Sequence, residues 1–186
     1  MKLKKIWKFI WHEDSLLSWI VNIIIAFVLV KFVIYPGLGL ILGTTHPVVA
    51  VVSSSMEHNG NFDQWYMEKG GWYNYSKDEM KEWIFHNGFN KGDIIVLKSG
   101  KNIKEGDVIV FNGNSNNPII HRVVRKWYEN GDIYYQTKGD NNNDSFRQLG
   151  ETKINNDDVI GKAMFRVPLL GYVKIIFTEI VGGILK

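Results

Sequence analysis

Along this 186-residue chain the spacing of apolar positions changes character twice. From 16 to 35 apolar residues are nearly continuous, interrupted only by Ser18, Asn22 and Lys31. A helix rises about 1.5 Å per residue, so such a stretch covers about 30 Å, the thickness of a bilayer's hydrocarbon layer. The pattern predicts a transmembrane helix over 16–35, with Lys31 able to extend its ammonium group to the interface. The stretch runs on into Pro36 and no small-x-small site follows it directly, which argues against a cleaved signal sequence. Residues 36–52 stay apolar but are punctuated by Pro36, Gly37, Gly39, Gly43 and Pro47. They read as a connector along the membrane surface, ending in a buried strand over 48–52.

Between 56 and 90 the chain is polar and aromatic. Within it Ser76-x-x-Glu79 is a capping-box signature, Met80, Trp83 and Ile84 follow at helical spacing, and Gly88 is a stop signal. This predicts a short helix inserted in a β domain. From 93 onward the period falls to two. Segments 93–98, 106–111, 119–128, 133–138 and 159–167 read as strands between Gly- and Asn-rich turns. In the tail, Val173, Ile176, Phe177, Ile180 and Ile184 form one helical stripe, which favours an amphipathic interfacial helix.

The expected fold is therefore mainly β. A cytoplasmic N-terminus (1–15) leads to the transmembrane helix (16–35) and a membrane-proximal connector with the first strand (36–52). A β-rich domain (53–167, with an insertion at about 60–90) and a membrane-associated C-terminal helix (168–186) follow.

Charge adds orientation. Lys2, Lys4, Lys5 and Lys8 precede the apolar span, whereas no Lys or Arg occurs from 32 to 67. The positive-inside rule then places the N-terminus in the cytoplasm and the β domain outside, in a single-pass arrangement in the cell or endoplasmic-reticulum membrane. The net charge of +3 is small and its basic residues are dispersed, so nucleic acid is not an expected partner. The absence of cysteine excludes disulfides, thiol catalysis and thiolate metal sites. The pair His58 and His86 lacks metal-ligand spacing, and neither a metal nor an organic cofactor is expected.

Three motifs carry candidate chemistry. Val51-Val52-Ser53-Ser54-Ser55-Met56 is followed by Ile119-Ile120-His121-Arg122-Val123-Val124 and then by Thr137-Lys138-Gly139-Asp140-Asn141-Asn142, with Asp144 just beyond. Taken singly, each reads as an ordinary turn or strand. Together and in this order they supply the nucleophile, base and orienting carboxylate of a serine hydrolase. Ser55, which ends the serine run, is the candidate nucleophile, and His121 the candidate base. The Ser55 amide and the Ser53 hydroxyl are candidate oxyanion donors. His58, close to Ser55 in sequence, is the rival base.

Asn130-Gly131 is a strong two-residue hairpin signal. Its register pairs Glu129 with Asp132, Val123 with Lys138 and His121 with Asp140, provided no bulge intervenes. Two other readings stay open. One is a serine–lysine dyad using Lys138 or Lys98 as base; the other is a catalytically inactive, membrane-anchored subunit that binds preproteins or partner proteins.

These residues resemble type I signal peptidases, specifically the archaeal and endoplasmic-reticulum branch. Ser53-Ser54-Ser55-Met56-Glu57 is similar to its Ser-x-Ser-Met-Glu box, and Asn90-Lys91-Gly92-Asp93-Ile94-Ile95 to its Gly-Asp strand box. His121-Arg122-Val123-Val124 resembles the base box, where bacterial relatives carry lysine. Thr137-Lys138-Gly139-Asp140-Asn141-Asn142 resembles the last box, and Gly161-Lys162-Ala163 and Pro168-Leu169-Leu170-Gly171 are also similar. The resemblance implies a membrane-bound endopeptidase that cleaves signal peptides from preproteins after small residues, bound as a strand near the membrane surface. Lipid bilayer and accessory membrane subunits are the further partners implied. It carries Ser55 as nucleophile, His121 as base and Ser53 as oxyanion partner. His58 stands where the family usually has proline, and the 62–88 stretch is longer than usual. The orienting aspartate usually lies further past the last box than Asp144 does. The resemblance favours Asp144 as orienter, whereas the hairpin register favours Asp140.

Overall fold

The computed structural model describes residues 2–172 and Ile175. The expected C-terminal amphipathic helix lies outside these residues. The chain divides into two units, residues 1–41 and 42–186.

In the first unit, α1 (Lys2–His12) is followed by α2 (Leu16–Leu29), a π-helical stretch (Val30–Ile34) and the start of α3 (Tyr35–Leu42). Ser15 caps α2 by accepting a hydrogen bond from the Ser18 amide at 3.2 Å. Two of the three polar interruptions of the span, Ser18 and Asn22, are satisfied by α1. Ser18 Oγ donates to Phe9 O at 2.7 Å, and Asn22 Nδ2 donates to Ile10 O at 2.9 Å. Carbonyls that a helix end leaves without partners thus accept from side chains.

The helix expected to end at Tyr35 runs on to Leu42. Pro36 has no N–H, and its ring crowds the carbonyl one turn earlier. The backbone widens over Val30–Ile34, where the Tyr35 N–H donates to Val30 O, five residues back. Residues 36–42 are therefore helix rather than the surface connector expected, and Leu16–Leu42 is long and apolar enough to cross a membrane.

The second unit begins its sheet with β1 (Val48–Ala50). Two short helices follow, α4 (Phe62–Lys69) and α5 (Lys77–Lys81). The remaining strands are β2 (Ile94–Lys98), β3 (Val108–Phe111), β4 (Ile119–Glu129), β5 (Asp132–Lys138), β6 (Ile154–Asn155) and β7 (Val159–Val167). They form one sheet in the order β1-β2-β7-β3-β4-β5-β6, and each neighbouring pair is antiparallel.

β3 is buried on both faces, and its alternation divides the core. Val108 and Val110 join Val51, Met56, Phe89, Ile95, Leu97 and Ala163. Ile109 and Phe111 join Ile103, Val123, Tyr135 and Ile154. The helical insertion has a core of its own, Phe62, Trp65, Tyr73 and Met80, with Trp83 and Val124 packed against it. Capping boxes start both of its helices: Asn61 with Gln64 for α4, and Ser76 with Glu79 for α5. The first was not predicted, although Asn61-x-x-Gln64 carries the same signature as the second.

The β4–β5 hairpin turns at Asn130-Gly131, and Glu129 pairs with Asp132 as the turn predicts. That register holds back to Arg125 opposite Gln136. A bulge at Val124 then shifts it by one, pairing Val123 with Thr137 and Arg122 with Lys138. Val124 has left the ladder to pack on the aromatic core of the insertion. A one-residue slip exchanges the faces of a strand. Asp140 consequently comes to the Arg122 side of β4, not to His121 as the unbroken register required.

Candidate active site

The serine run leaves β1 in a turn held at three points. The Val51 amide donates to Asp93 O and the Gly92 amide to Val51 O, both at 2.9 Å. Met56, fully buried in the first core, anchors the far side, and the Phe89 amide donates to its carbonyl at 3.0 Å. The turn after β5 completes the clamp. The Asn141 amide donates to Ser55 O at 2.8 Å, and its side chain to Ser54 O at 3.2 Å. The Asp140 amide contacts Met56 Sδ at 3.4 Å.

Ser55 is thereby presented half-buried to β4, with its Oγ 2.9 Å from His121 Nε2. Ser53 Oγ lies 3.1 Å from Ser55 Oγ. Gly139 brings the backbone of the turn against both partners. A Cβ on it would stand 2.9 Å from His121 Nε2 and 2.8 Å from Ser55 O, closer than side chains pack.

The other imidazole nitrogen, Nδ1, hydrogen-bonds Oε1 of Glu151, a fully buried carboxylate. Oε1 also accepts from Thr137 Oγ1 at 3.3 Å, and Oε2 from the Phe146 amide at 2.8 Å. Sequence reasoning missed Glu151: it lies beyond the motifs, and no spacing or turn signal points to it.

Neither predicted aspartate bonds His121 among the described residues. Asp144 is exposed, and its Oδ1 accepts from the Ser145 amide at 2.7 Å. Asp140 is fully buried on the opposite side of β4. Its Oδ1 accepts from Arg122 Nε at 2.8 Å and Tyr73 OH at 3.2 Å. Its Oδ2 accepts from Arg122 Nη2 at 2.6 Å and His58 Nε2 at 3.0 Å. Burial works to raise the Asp140 pKa, but the Arg122 charge and these hydrogen bonds outweigh it and hold the carboxyl well below its usual range.

His58, the rival base, is spent on Asp140 and stacks on Trp65 at a centroid distance of 4.1 Å. The two candidate lysines also face elsewhere. Lys138 Nζ donates to Gly139 O at 3.1 Å beneath the rings of Trp72 and Tyr73, and burial pushes its pKa down to about 8. Lys98 is exposed on β2.

No protein-family profile matches the chain. Individual curated proteins do. Signal peptidase complex catalytic subunit SEC11 of Chaetomium globosum is 29% identical over 155 residues, covering 80% of this chain and 73% of the relative. Signal peptidase complex catalytic subunit SEC11C of Homo sapiens is 30% identical over 153 residues, covering 78% of this chain and 65% of the relative. The chain has homologues among the endoplasmic-reticulum-type type I signal peptidases. These signal peptidase relatives support a signal peptidase subunit function at the family level.

Proposed function

We propose that this chain is a membrane-anchored serine endopeptidase that removes N-terminal signal peptides from preproteins. The observation that carries the reading is the Ser55 Oγ–His121 Nε2 contact of 2.9 Å. A serine hydroxyl attacks a peptide carbonyl only when a base takes its proton. With Nδ1–H donated to a carboxylate, Nε2 holds the lone pair that can do so.

His121 Nε2 takes the Ser55 proton as Oγ bonds to the scissile carbonyl carbon. The resulting oxyanion meets the Ser55 amide and the Ser53 hydroxyl. His121 then gives the proton to the leaving amine, the C–N bond breaks, and the signal peptide remains as an ester on Ser55. Water, deprotonated by His121, attacks that ester, and Ser55 recovers its proton as the signal peptide leaves as a carboxylate. β1 is an edge strand leading into Ser55, and the preprotein adds beside it in extended form. The Leu16–Leu42 helix serves as the anchor, with the N-terminus cytoplasmic and the catalytic unit outside. The chain works in a lipid bilayer, alone or with accessory membrane subunits.

Preprotein cleavage by the detergent-solubilised full chain tests this. Cleavage after a small residue should be lost in Ser55→Ala and in His121→Ala, with both variants folded. Undiminished cleavage by folded Ser55→Ala would overturn the mechanism.

A further inference from the structure

We infer that Glu151 is the residue that positions His121, and that Asp140 is a brace between the insertion and the active-site turn. This inference rests on the Ser55–His121 reading and names the carboxylate that reading needs.

Glu151 is delivered by a rigid connection. After the single 3₁₀ turn Arg147–Leu149, Gly150 takes a left-handed conformation, φ +81°, and turns the chain back toward β5. The Thr137 amide donates to Glu151 O at 3.0 Å, fixing the backbone beside the end of that strand. Oε2 is held by the Phe146 amide, which leaves Oε1 aimed at Nδ1. A buried carboxylate in this place fixes the imidazole tautomer and stabilises the imidazolium that forms when Ser55 is deprotonated.

The aspartates cannot share the task. Both oxygens of Asp140 are occupied by Arg122, His58 and Tyr73, on the face of β4 away from His121. Tyr73, and Trp65 through its indole N–H on Asp140 O at 2.9 Å, come from the insertion. Asp140 therefore ties the insertion to the turn whose next residue, Asn141, holds Ser55 in place. Its carboxylate hydrogen-bonds neither Ser55 nor His121.

Glu151→Gln discriminates sharply because of the Phe146 amide. An amide side chain must turn its carbonyl to that N–H, which points its NH₂ group at His121 Nδ1. Nδ1 must then accept, the ring proton moves to Nε2, and the base is blocked toward Ser55. The expected result is a loss of about 10³–10⁴-fold in kcat with KM little changed. Glu151→Asp should recover part of the rate, and Asp144→Asn should be indifferent.

The second readout needs no substrate. The full chain in detergent should show a low-field imidazole N–H proton resonance. That resonance should vanish in His121→Ala and Glu151→Gln and persist in Asp140→Asn and Asp144→Asn. If Glu151→Gln does not fold, the resonance in wild type and Glu151→Asp, assigned through its loss in His121→Ala, still supports the pairing. Its absence from folded wild type, or a wild-type rate in Glu151→Gln, overturns the proposal. The resonance together with no cleavage of any preprotein supports the Glu151 pairing and refutes the peptidase reading alone.

Discussion

Arg122 and Asp140 meet through two parallel hydrogen bonds, Nε–Oδ1 at 2.8 Å and Nη2–Oδ2 at 2.6 Å, with both side chains out of solvent. Arg122 also donates to the carbonyls of Ile84, Phe85 and Gly106. The guanidinium thus joins β4, the insertion and the β5 turn at one point. Removing Asp140 leaves a buried cation without its counterion, which costs about 3–5 kcal/mol. Asp140→Ala should lose that much in denaturant unfolding, and replacing Arg122 by Met in the same chain should restore part of it.

The same pair fixes an acid limit. A carboxyl whose folded pKa is depressed contributes stability above its unfolded value, near 3.9, and loses it as pH falls toward the folded one. The Asp140 contribution should be constant from about pH 7 to 5 and decline below about pH 4. The difference in stability between wild type and Asp140→Asn, followed across that range, reads it directly.

Lys138 shows the opposite sign. Burial lowers its pKa to about 8, so the charged form is less favourable in the folded chain than in the unfolded one. Its cost is full below about pH 8 and disappears as pH rises toward the unfolded value near 10.4. Wild type should gain stability relative to Lys138→Met between about pH 8 and 10. Thermal unfolding at those two pH values checks it.

Gly139→Ala places a methyl group 2.9 Å from His121 Nε2 and 2.6 Å from Asn142 Nδ2. Since an ångström of misplacement can cost about 100-fold in rate, kcat should drop by about that factor while the fold persists. Ser53→Ala should cost about 10²–10³ in kcat through the lost oxyanion donor. Single-turnover cleavage separates both from changes in binding.

The local features were legible in the sequence because each is set by neighbours in the chain. Asn130-Gly131 specified the hairpin turn, Ser76 and Glu79 a helix start, and the period of two every strand from 94 to 167 except the two-residue β6. Ser55 and His121 stood out because their motifs combine residue types that a hydrolase needs. The misreadings came where distant packing overrode a local rule. Val124 left the ladder for an aromatic core built by residues 62–80, and that slip turned Asp140 away from His121. Pro36, just past the expected end of the helix, is absorbed by a widened turn. Glu151 had no local signature, since its place beside His121 depends on how the chain returns from Phe146 to β5.

The sheet order has a consequence in time. β7 lies between β2 and β3, although among the described strands it is the last in the chain. Until it is made, the sheet exists as two separate pieces, one leading to Ser55 and the other carrying His121. A nascent chain that ends before 159–167 has Ser55 and His121 on ribbons with no strand to join them. The contact between these two side chains therefore waits on residues more than 100 positions after Ser55 in the chain.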